Sequence, residues 1–229
     1  MPTTRKTLMF LSSFALSLAS LVMICYVLGT QGWVRSTVSV SDHSSNGSII
    51  VTYGLFGGLS NQQLSHGIGQ DDKEFKVLDL LSTSSTKTLH SVVILTLALS
   101  LLTSLLCSGF TFYNSVSNPY QTFLGPVGVY TWSGLGAFFT LLTMILFVAN
   151  TQSNRLSEAL VETLYSFYPA STHRGTTHSY GVSFWLLLLI ICLDIGASVI
   201  IVFYQKARHQ RKQEQRKPME HAPRDGILF

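Results

Sequence analysis

One acidic residue, Asp194, stands near the middle of a long apolar stretch, residues 183–204, and is the only charged residue in it. An ionisable side chain at the centre of a membrane-length segment costs roughly 2.5–3.5 kcal/mol on insertion scales and is by default a functional candidate. The other apolar stretches offer no cation at similar depth. We therefore expect the carboxyl group to be protonated or hydrogen-bonded to a hydroxyl group at similar depth in another stretch, the candidates being Ser17, Ser20, Ser100, Thr103, Ser104 and Thr140.

Asp194 has two interpretations. It is either a polar contact that holds membrane helices together or part of an ion pathway. A pathway would need several polar or charged groups in series, and one acid makes no relay. The sequence favours the packing role.

Other residues that could perform chemistry lack the necessary spacing. Five of the seven histidines lie between the apolar stretches and follow no zinc-ligand pattern, so we expect surface histidines: His43, His66, His90, His173 and His178. The three cysteines lie in separate apolar stretches, which predicts neither a metal site nor an outer-loop disulfide: Cys25, Cys107 and Cys192. Without a nucleophile elbow, a phosphate loop or paired carboxylates, the chain is expected to have no catalytic activity and no cofactor.

Two binding features lie in the C-terminal segment, residues 205–229, which we expect to be flexible. A basic run could bind anionic lipid headgroups at about 1 kcal/mol per residue or only fix the orientation of the chain: Lys206, Arg208, Arg211, Lys212, Arg216 and Lys217. The apolar end, Ile227-Leu228-Phe229, fits the C-terminal strand that PDZ domains bind. The expected partners are membrane lipids, a PDZ-type cytoplasmic adaptor and other membrane proteins, and not nucleic acid.

Four apolar stretches must position these residues: 8–28, 92–113, 126–149 and 183–204. The chain is 47% hydrophobic and 11% charged, and no charged residue lies between Lys87 and Arg155, so a soluble helical hairpin is excluded there. Each stretch is long enough as a helix to cross a ~30 Å hydrocarbon layer. The first is longer than the apolar part of a secretory signal, which indicates an uncleaved signal anchor; a cleaved signal leaving three spans is the alternative.

Basic residues predict the orientation of these spans. The N-terminus and the segment after Tyr204 hold nine of the fifteen Lys and Arg residues, an excess that is typical of cytoplasmic segments. Both termini are therefore expected in the cytoplasm, with residues 29–91 and 150–182 as outer loops of a plasma-membrane protein. The one N-glycosylation sequon, at Asn46, falls in the first outer loop.

The first outer loop carries a strand pattern. Val34, Ser36, Val38 and Val40 alternate with more polar residues, and residues 48–56 are rich in β-formers. Asn46-Gly47 is a strong hairpin-turn signal, so we expect a small antiparallel sheet with its turn there. The charged segment that follows, residues 57–85, is expected to be solvated and partly mobile. The predicted fold class is a mainly α, four-transmembrane helix bundle, residues 1–204, with a small extracellular β-sheet.

The run from Asn118 to Tyr130, together with Phe112 to Ser115 and short motifs at 144–147, 156–158 and 183–185, resembles the clarins. The clarins are four-span membrane proteins. A wider resemblance is to the claudin-like superfamily. Trp33 and Gly54-Leu55-Phe56 of this chain match the first-loop pattern of that superfamily, but this chain lacks the two cysteines of the pattern.

The resemblance implies a membrane-organising role, which in the clarins is associated with sensory cells, their actin-rich projections and synapses. Two functions follow as hypotheses. The chain is either a scaffold that links membrane patches to cytoplasmic adaptors, or an accessory subunit of a channel or transporter or an ion conduit. The scaffold is favoured because the spans contain one charged residue.

Overall fold

The computed structural model describes residues 2–42, 45–64, 70–81, 85–116, 125–166 and 173–216. Its helices are α1 (Pro2–Gly29), α2 (Val77–Leu80), α3 (Ser85–Val116), α4 (Gly125–Gln152), α5 (Leu156–Leu164) and α6 (Val182–Arg216). Its strands are β1 (Val34–Asp42), β2 (Ser45–Tyr53), β3 (Gly57–Leu64), β4 (Gln70–Lys76) and β5 (His173–Tyr180).

Four long helices form a closed bundle. Helix α3 packs against α1 and α4, and α6 packs against the same two helices from the other side, so each helix has two main neighbours. Each contains one predicted apolar stretch and is long and apolar enough to cross a membrane: Lys6–Gly29, Ser85–Val116, Gly125–Gln152 and Val182–Arg211. The predicted fold class is confirmed.

The bundle is apolar outside and partly polar inside. Large apolar side chains such as Val22, Leu95 and Phe138 are exposed on its outer surface, whereas serine and threonine side chains fill much of the space between the helices. This distribution suits a lipid environment. Lipid tails compete equally for apolar surface, so close packing of small residues and hydrogen bonds hold the helices together.

All five strands form one antiparallel sheet in the order β4-β3-β2-β1-β5. Strand β5 comes from the second of the two predicted outer loops, between α4 and α6, so the two loops share a single sheet. The sequence predicted a sheet in the first loop alone. It missed β5 because His173–Tyr180 has no apolar alternation, and its strand conformation depends on pairing with β1, which is distant in the chain.

The β1–β2 hairpin is confirmed, but the predicted turn position is wrong. Asp42 pairs with Ser45, so Asn46 and Gly47 lie within β2, and the connection falls on residues 43–44, outside the described part of the chain. The observed register aligns Val38 with Ile49 and Val34 with Tyr53, all of them buried. A turn at Asn46-Gly47 would instead have placed Val51 opposite Asp42, which would oppose an apolar residue to a charged one.

Two further expectations need correction. The segment predicted to be solvated and partly mobile, 57–85, forms β3, β4 and α2 over its described residues. Most of its charges lie on β4, an edge strand, where exposed charges discourage pairing with another sheet. The segment after Tyr204, predicted to be flexible, continues as helix α6 to Arg216, because its lysine, arginine, glutamine and glutamate residues are good helix formers.

Candidate functional sites in the bundle, the outer sheet and the tail

The buried acid lies where α6 meets two other helices. Asp194 is 4% exposed, and a Cβ atom added at Gly136 of α4 would lie 3.0 Å from Asp194 Oδ2 and 3.3 Å from Thr103 Oγ1 of α3. Ser133 Oγ donates a hydrogen bond to the Asp194 backbone carbonyl. The missing side chain at Gly136 therefore leaves the space in which the carboxyl group fits between α4 and α3.

Hydroxyl groups connect the helices around this acid. The hydroxyl groups of Ser100 and Thr140 share a hydrogen bond of 2.7 Å between α3 and α4, and Thr96 and Thr143 share one of 2.8 Å. Ser104 Oγ donates to the Ser17 backbone carbonyl, which joins α3 to α1 at 3.3 Å. These bonds leave most of the predicted partners of Asp194 engaged elsewhere.

Ser20 of α1 is the predicted partner that remains. Its side chain interacts with the Asp194 carboxyl group, yet neither Ser20 Oγ nor Asp194 Oδ2 makes a well-formed hydrogen bond within the described residues. An unpaired buried carboxylate is costly, which favours the protonated group. Among the residues that the structure describes, no group of His, Cys, Asp and Glu side chains could hold a metal ion.

The residues that match the claudin-like pattern attach the outer sheet to the bundle. Trp33 is buried, donates from Nε1 to the Val27 carbonyl at the end of α1 at 2.9 Å, and its ring centroid lies 4.9 Å from that of Phe147. A Cβ atom at Gly54 would overlap the Thr30 carbonyl oxygen, so only glycine permits this approach. These contacts close the bundle against the sheet.

A second attachment corrects the expectation of surface histidines. His90 of α3 is fully buried, and its Nε2 lies 2.7 Å from the Leu55 carbonyl oxygen, to which it donates. His178 is half-buried within a hydrogen-bond network described below. His173 is only partly exposed, and His43 and His66 lie outside the described residues.

A chain of hydrogen bonds joins three strands of the sheet to helix α5. The Tyr53 hydroxyl lies 2.7 Å from Ser157 Oγ, Ser157 Oγ donates to Ser36 Oγ at 2.8 Å, and Ser36 Oγ lies 2.8 Å from His178 Nδ1. The chain thus runs from β2 through α5 and β1 to β5. Because Ser157 gives its proton to Ser36, the consistent arrangement has Tyr53 donating to Ser157 and Ser36 donating to an unprotonated His178 Nδ1.

The pKa shifts of the two end residues agree with this arrangement. Burial raises the pKa of Tyr53 to about 12, although its hydrogen bonds to hydroxyl groups oppose the shift. Burial also lowers the pKa of His178, against the opposite effect of the nearby Glu158 carboxylate. Both ends are therefore neutral at physiological pH. We call Tyr53, Ser157, Ser36 and His178 the outer hydroxyl network; sequence spacing could not reveal it because its members come from both loops.

Asn46, the residue of the glycosylation sequon, is accessible. Asn46 is exposed near the end of the β1–β2 hairpin, and Ser41 Oγ donates to its Oδ1 at 2.7 Å. Glycosylation of Asn46 stays a prediction, for which this position is accessible.

All three cysteines are free thiols. Cys107 is buried with its Sγ 3.4 Å from Ser17 Oγ, and Cys25 and Cys192 are exposed on the outside of the bundle.

The basic run lies on the extension of α6 beyond the apolar stretch. Lys206, Arg208 and Arg211 are exposed on this helix; Lys212 and Arg216 belong to it as well. Lys217 and the apolar end Ile227-Leu228-Phe229 lie outside the described residues. A helix rises ~1.5 Å per residue, so the extension is about 18 Å long and separates its basic residues along the axis instead of gathering them at one depth.

The fold therefore defines the class: a multi-pass membrane protein of four spanning helices with one antiparallel sheet assembled from both outer loops. Comparison with known proteins identifies the family. A family model described as Clarin-2-like matches residues 4–189. The chain is 69% identical to Clarin-3 of Homo sapiens and 60% identical to Clarin-3 of Mus musculus, each over 229 residues and 100% of both chains. It is 26% identical to Clarin-1 of Homo sapiens over 82% of this chain and 83% of that one. The chain belongs to the clarin family.

Proposed function

We propose that this clarin is a scaffold of the plasma membrane, which links a patch of membrane to cytoplasmic adaptors through its C-terminal segment. The carrying observation is the continuity of α6, a single helix from Val182 to Arg216 whose side chains from Gln205 to Arg211 are exposed. An exposed helical extension projects beyond the span, to a distance from the bilayer at which a soluble partner can reach it.

The distance along α6 also limits which partner the basic run can serve. Electrostatic attraction to the bilayer decays within a Debye length of about 8 Å at physiological ionic strength. Lys206 and Arg208 are close enough to the end of the span for headgroup contact, whereas Arg216, about 18 Å beyond Tyr204, is better placed for an acidic protein surface or adaptor. We therefore assign lipid binding to the first turns of the extension.

The bundle interior gives less support to an ion conduit. Several of its described hydroxyl groups are paired across the helices, as in Ser100–Thr140 and Thr96–Thr143. Paired hydroxyl groups close the space between helices and leave few groups free to replace the hydration shell of an ion. The same observation supports the packing role of Asp194. An accessory role beside a channel would leave the bundle interior unchanged.

The proposed orientation places both termini in the cytoplasm and both outer loops outside the cell. Endoglycosidase treatment should shift the wild-type chain on a gel, and Asn46→Gln should remove that shift. A C-terminal epitope should be stained only after cells are permeabilised. Staining of intact cells would contradict the orientation and with it the proposed link to cytoplasmic adaptors.

Adaptor binding is tested with the full chain and PDZ domains as the probe. A free C-terminal strand would place Ile227 and Phe229 on one side and Leu228 on the other, because side chains alternate along a strand. Deletion of Phe229, or addition of one alanine after it, should abolish capture, and the matched control Leu228→Ala should have little effect. Equal capture of the native and extended chains would contradict PDZ binding.

A further inference from the structure

An open cavity of about 660 Å³ lies between the end of α1 and the edge of the outer sheet. Its lining includes Gln31 after α1 and Phe56 just before β3. Residues of β4 and α2 complete it, among them Glu74, Phe75, Lys76 and Asp79. Its volume is in the range of small-ligand sites. The cavity is separate from the buried acid, the outer hydroxyl network and the cytoplasmic extension.

The cavity lies at the depth of the lipid headgroups. Leu28 and Gly29, the last residues of α1, line it from below, and the membrane-length part of that helix ends at Gly29. The headgroup layers lie immediately beyond the ~30 Å hydrocarbon core, in a bilayer of ~40–45 Å in total. In the proposed orientation this is the outer leaflet, so headgroups of that leaflet surround the opening.

Charges of both signs line this single cavity. Lys76 supplies one cation and Glu74 and Asp79 two anions, and all three side chains are exposed. Within the described residues none of the three takes part in an ion pair. The excess of one negative charge disfavours a purely anionic headgroup. A ligand that carries a phosphate and a cation together can satisfy both kinds of charge.

Aromatic rings add a preference for a particular cation. Phe56, 49% exposed, and Phe75 both line the cavity beside the acids. Aromatic faces attract quaternary ammonium groups, and the attraction is strengthened where the cation is partly desolvated. Gln31 also lines the cavity, with its Nε2 3.6 Å from the position that a Cβ atom would take at Gly57, and it offers an amide donor to a phosphate oxygen.

We propose that this cavity binds the headgroup of a choline phospholipid of the outer leaflet. The phosphate accepts hydrogen bonds from Lys76 Nζ and the Gln31 amide, and the trimethylammonium group lies against Glu74, Asp79 and the ring of Phe56. The shared chemistry is phosphocholine, which phosphatidylcholine and sphingomyelin both carry. This site does not depend on adaptor binding by the tail.

The test uses the full-length chain reconstituted in nanodiscs with phosphatidylcholine, sphingomyelin or phosphatidylglycerol, followed by native mass spectrometry of the lipids that stay bound. The first two lipids should be retained alike and severalfold more than phosphatidylglycerol, which lacks the ammonium group. Equal retention of phosphatidylglycerol, or retention of only one of the two choline lipids, would overturn the proposal, because the headgroup would then not be what the site recognises.

Variants assign the retention to this cavity. Lys76→Gln should weaken retention of choline lipids about two- to fivefold. The double variant Glu74→Gln with Asp79→Asn removes two charges, and the loss of each charge should weaken retention by a similar factor. Glu74→Lys should shift the preference toward phosphatidylglycerol. The matched controls, Lys87→Gln and Glu162→Gln, change exposed charges of the outer face that do not line the cavity and should leave retention unchanged. Unchanged lipid preference in Glu74→Lys, in protein with the wild-type melting temperature, would contradict the assignment.

Discussion

At the scale of single residues, Asp194 shows how one acid can be accommodated in a membrane bundle. It lies in the space left by Gly136, and two of its neighbours, Thr103 and Ser20, carry a hydroxyl group. A neutral carboxyl group in these surroundings can donate one hydrogen bond and accept others. This chemistry suits packing and requires no ion.

The first prediction concerns the charge of Asp194. Asp194→Asn keeps hydrogen bonding without an ionisable group and should preserve folding and delivery to the cell surface. Asp194→Leu should weaken helix packing by about 1 kcal/mol, a value typical of interhelical hydrogen bonds. Thermal unfolding of the purified variants and surface biotinylation measure both effects. An ion current that is present with the wild type and absent with Asp194→Asn would contradict the packing role.

The second prediction concerns Gly54, where the sheet approaches the end of α1. In Gly54→Ala the new methyl group would overlap the Thr30 carbonyl oxygen, a backbone atom that cannot rotate away. We expect a loss of about 1–3 kcal/mol in the free energy of unfolding, as for overpacked sites, together with reduced surface delivery. Gly175→Ala in β5 is the matched control, since a Cβ atom there meets nothing within 4 Å. Similar melting temperatures for the two variants would refute this account of Gly54.

At the scale of elements, the outer hydroxyl network joins strands and a helix that come from different loops. The usual pKa of histidine is 6.5, and that of His178 is lowered in the folded protein. The unfolded chain therefore binds the proton more readily, and protonation favours unfolding. This contribution to stability is complete above the unfolded value and is lost as pH falls from about 6.5 through the lower folded value.

The third prediction follows from that linkage. The melting temperature of the wild type should fall between pH 7.5 and pH 5, and His178→Gln should show a smaller fall because the titrating group is gone. His173→Gln, on the same strand, should behave as the wild type does. The measurement is thermal unfolding in detergent over that pH range. Identical pH dependence in the wild type and His178→Gln would show that the network does not titrate through His178.

Elements differ in how far the sequence predicts them, for physical reasons. The four spans follow from hydropathy, and β1 follows from the alternation of Val34, Ser36, Val38 and Val40, because both signals are local. Strand β5 and the buried histidine His90 depend on partners far away in the chain, Ser36 and Leu55 among them. The part of α6 after Tyr204 was missed because a charged helix and a solvated tail have the same composition. Asp194 was found because a charge inside an apolar stretch is conspicuous, but its fit against Gly136 needed the tertiary structure.

At the scale of the whole molecule, the closed ring of α1, α3, α4 and α6 carries a sheet to which both outer loops contribute. The β1–β5 pairing joins the two loops without a disulfide, since residues 29–91 and 150–182 contain no cysteine. The outer surface is thus one folded unit that begins directly at the ends of α1 and α6, where Gly181 donates a backbone hydrogen bond to the Trp33 carbonyl at 2.8 Å.

The assembly of one sheet from two loops is the central structural claim, and a designed disulfide tests it most directly. Arg35 of β1 and Ser179 of β5 are paired in register and both exposed. Arg35→Cys with Ser179→Cys should form a disulfide in intact cells, detected as a linked peptide by mass spectrometry, because paired residues lie within disulfide reach. Arg35→Cys with Gly175→Cys, displaced by about 13 Å along the same exposed face of β5, should not. Equal cross-linking of the two pairs, or none of the registered pair, would contradict the shared sheet.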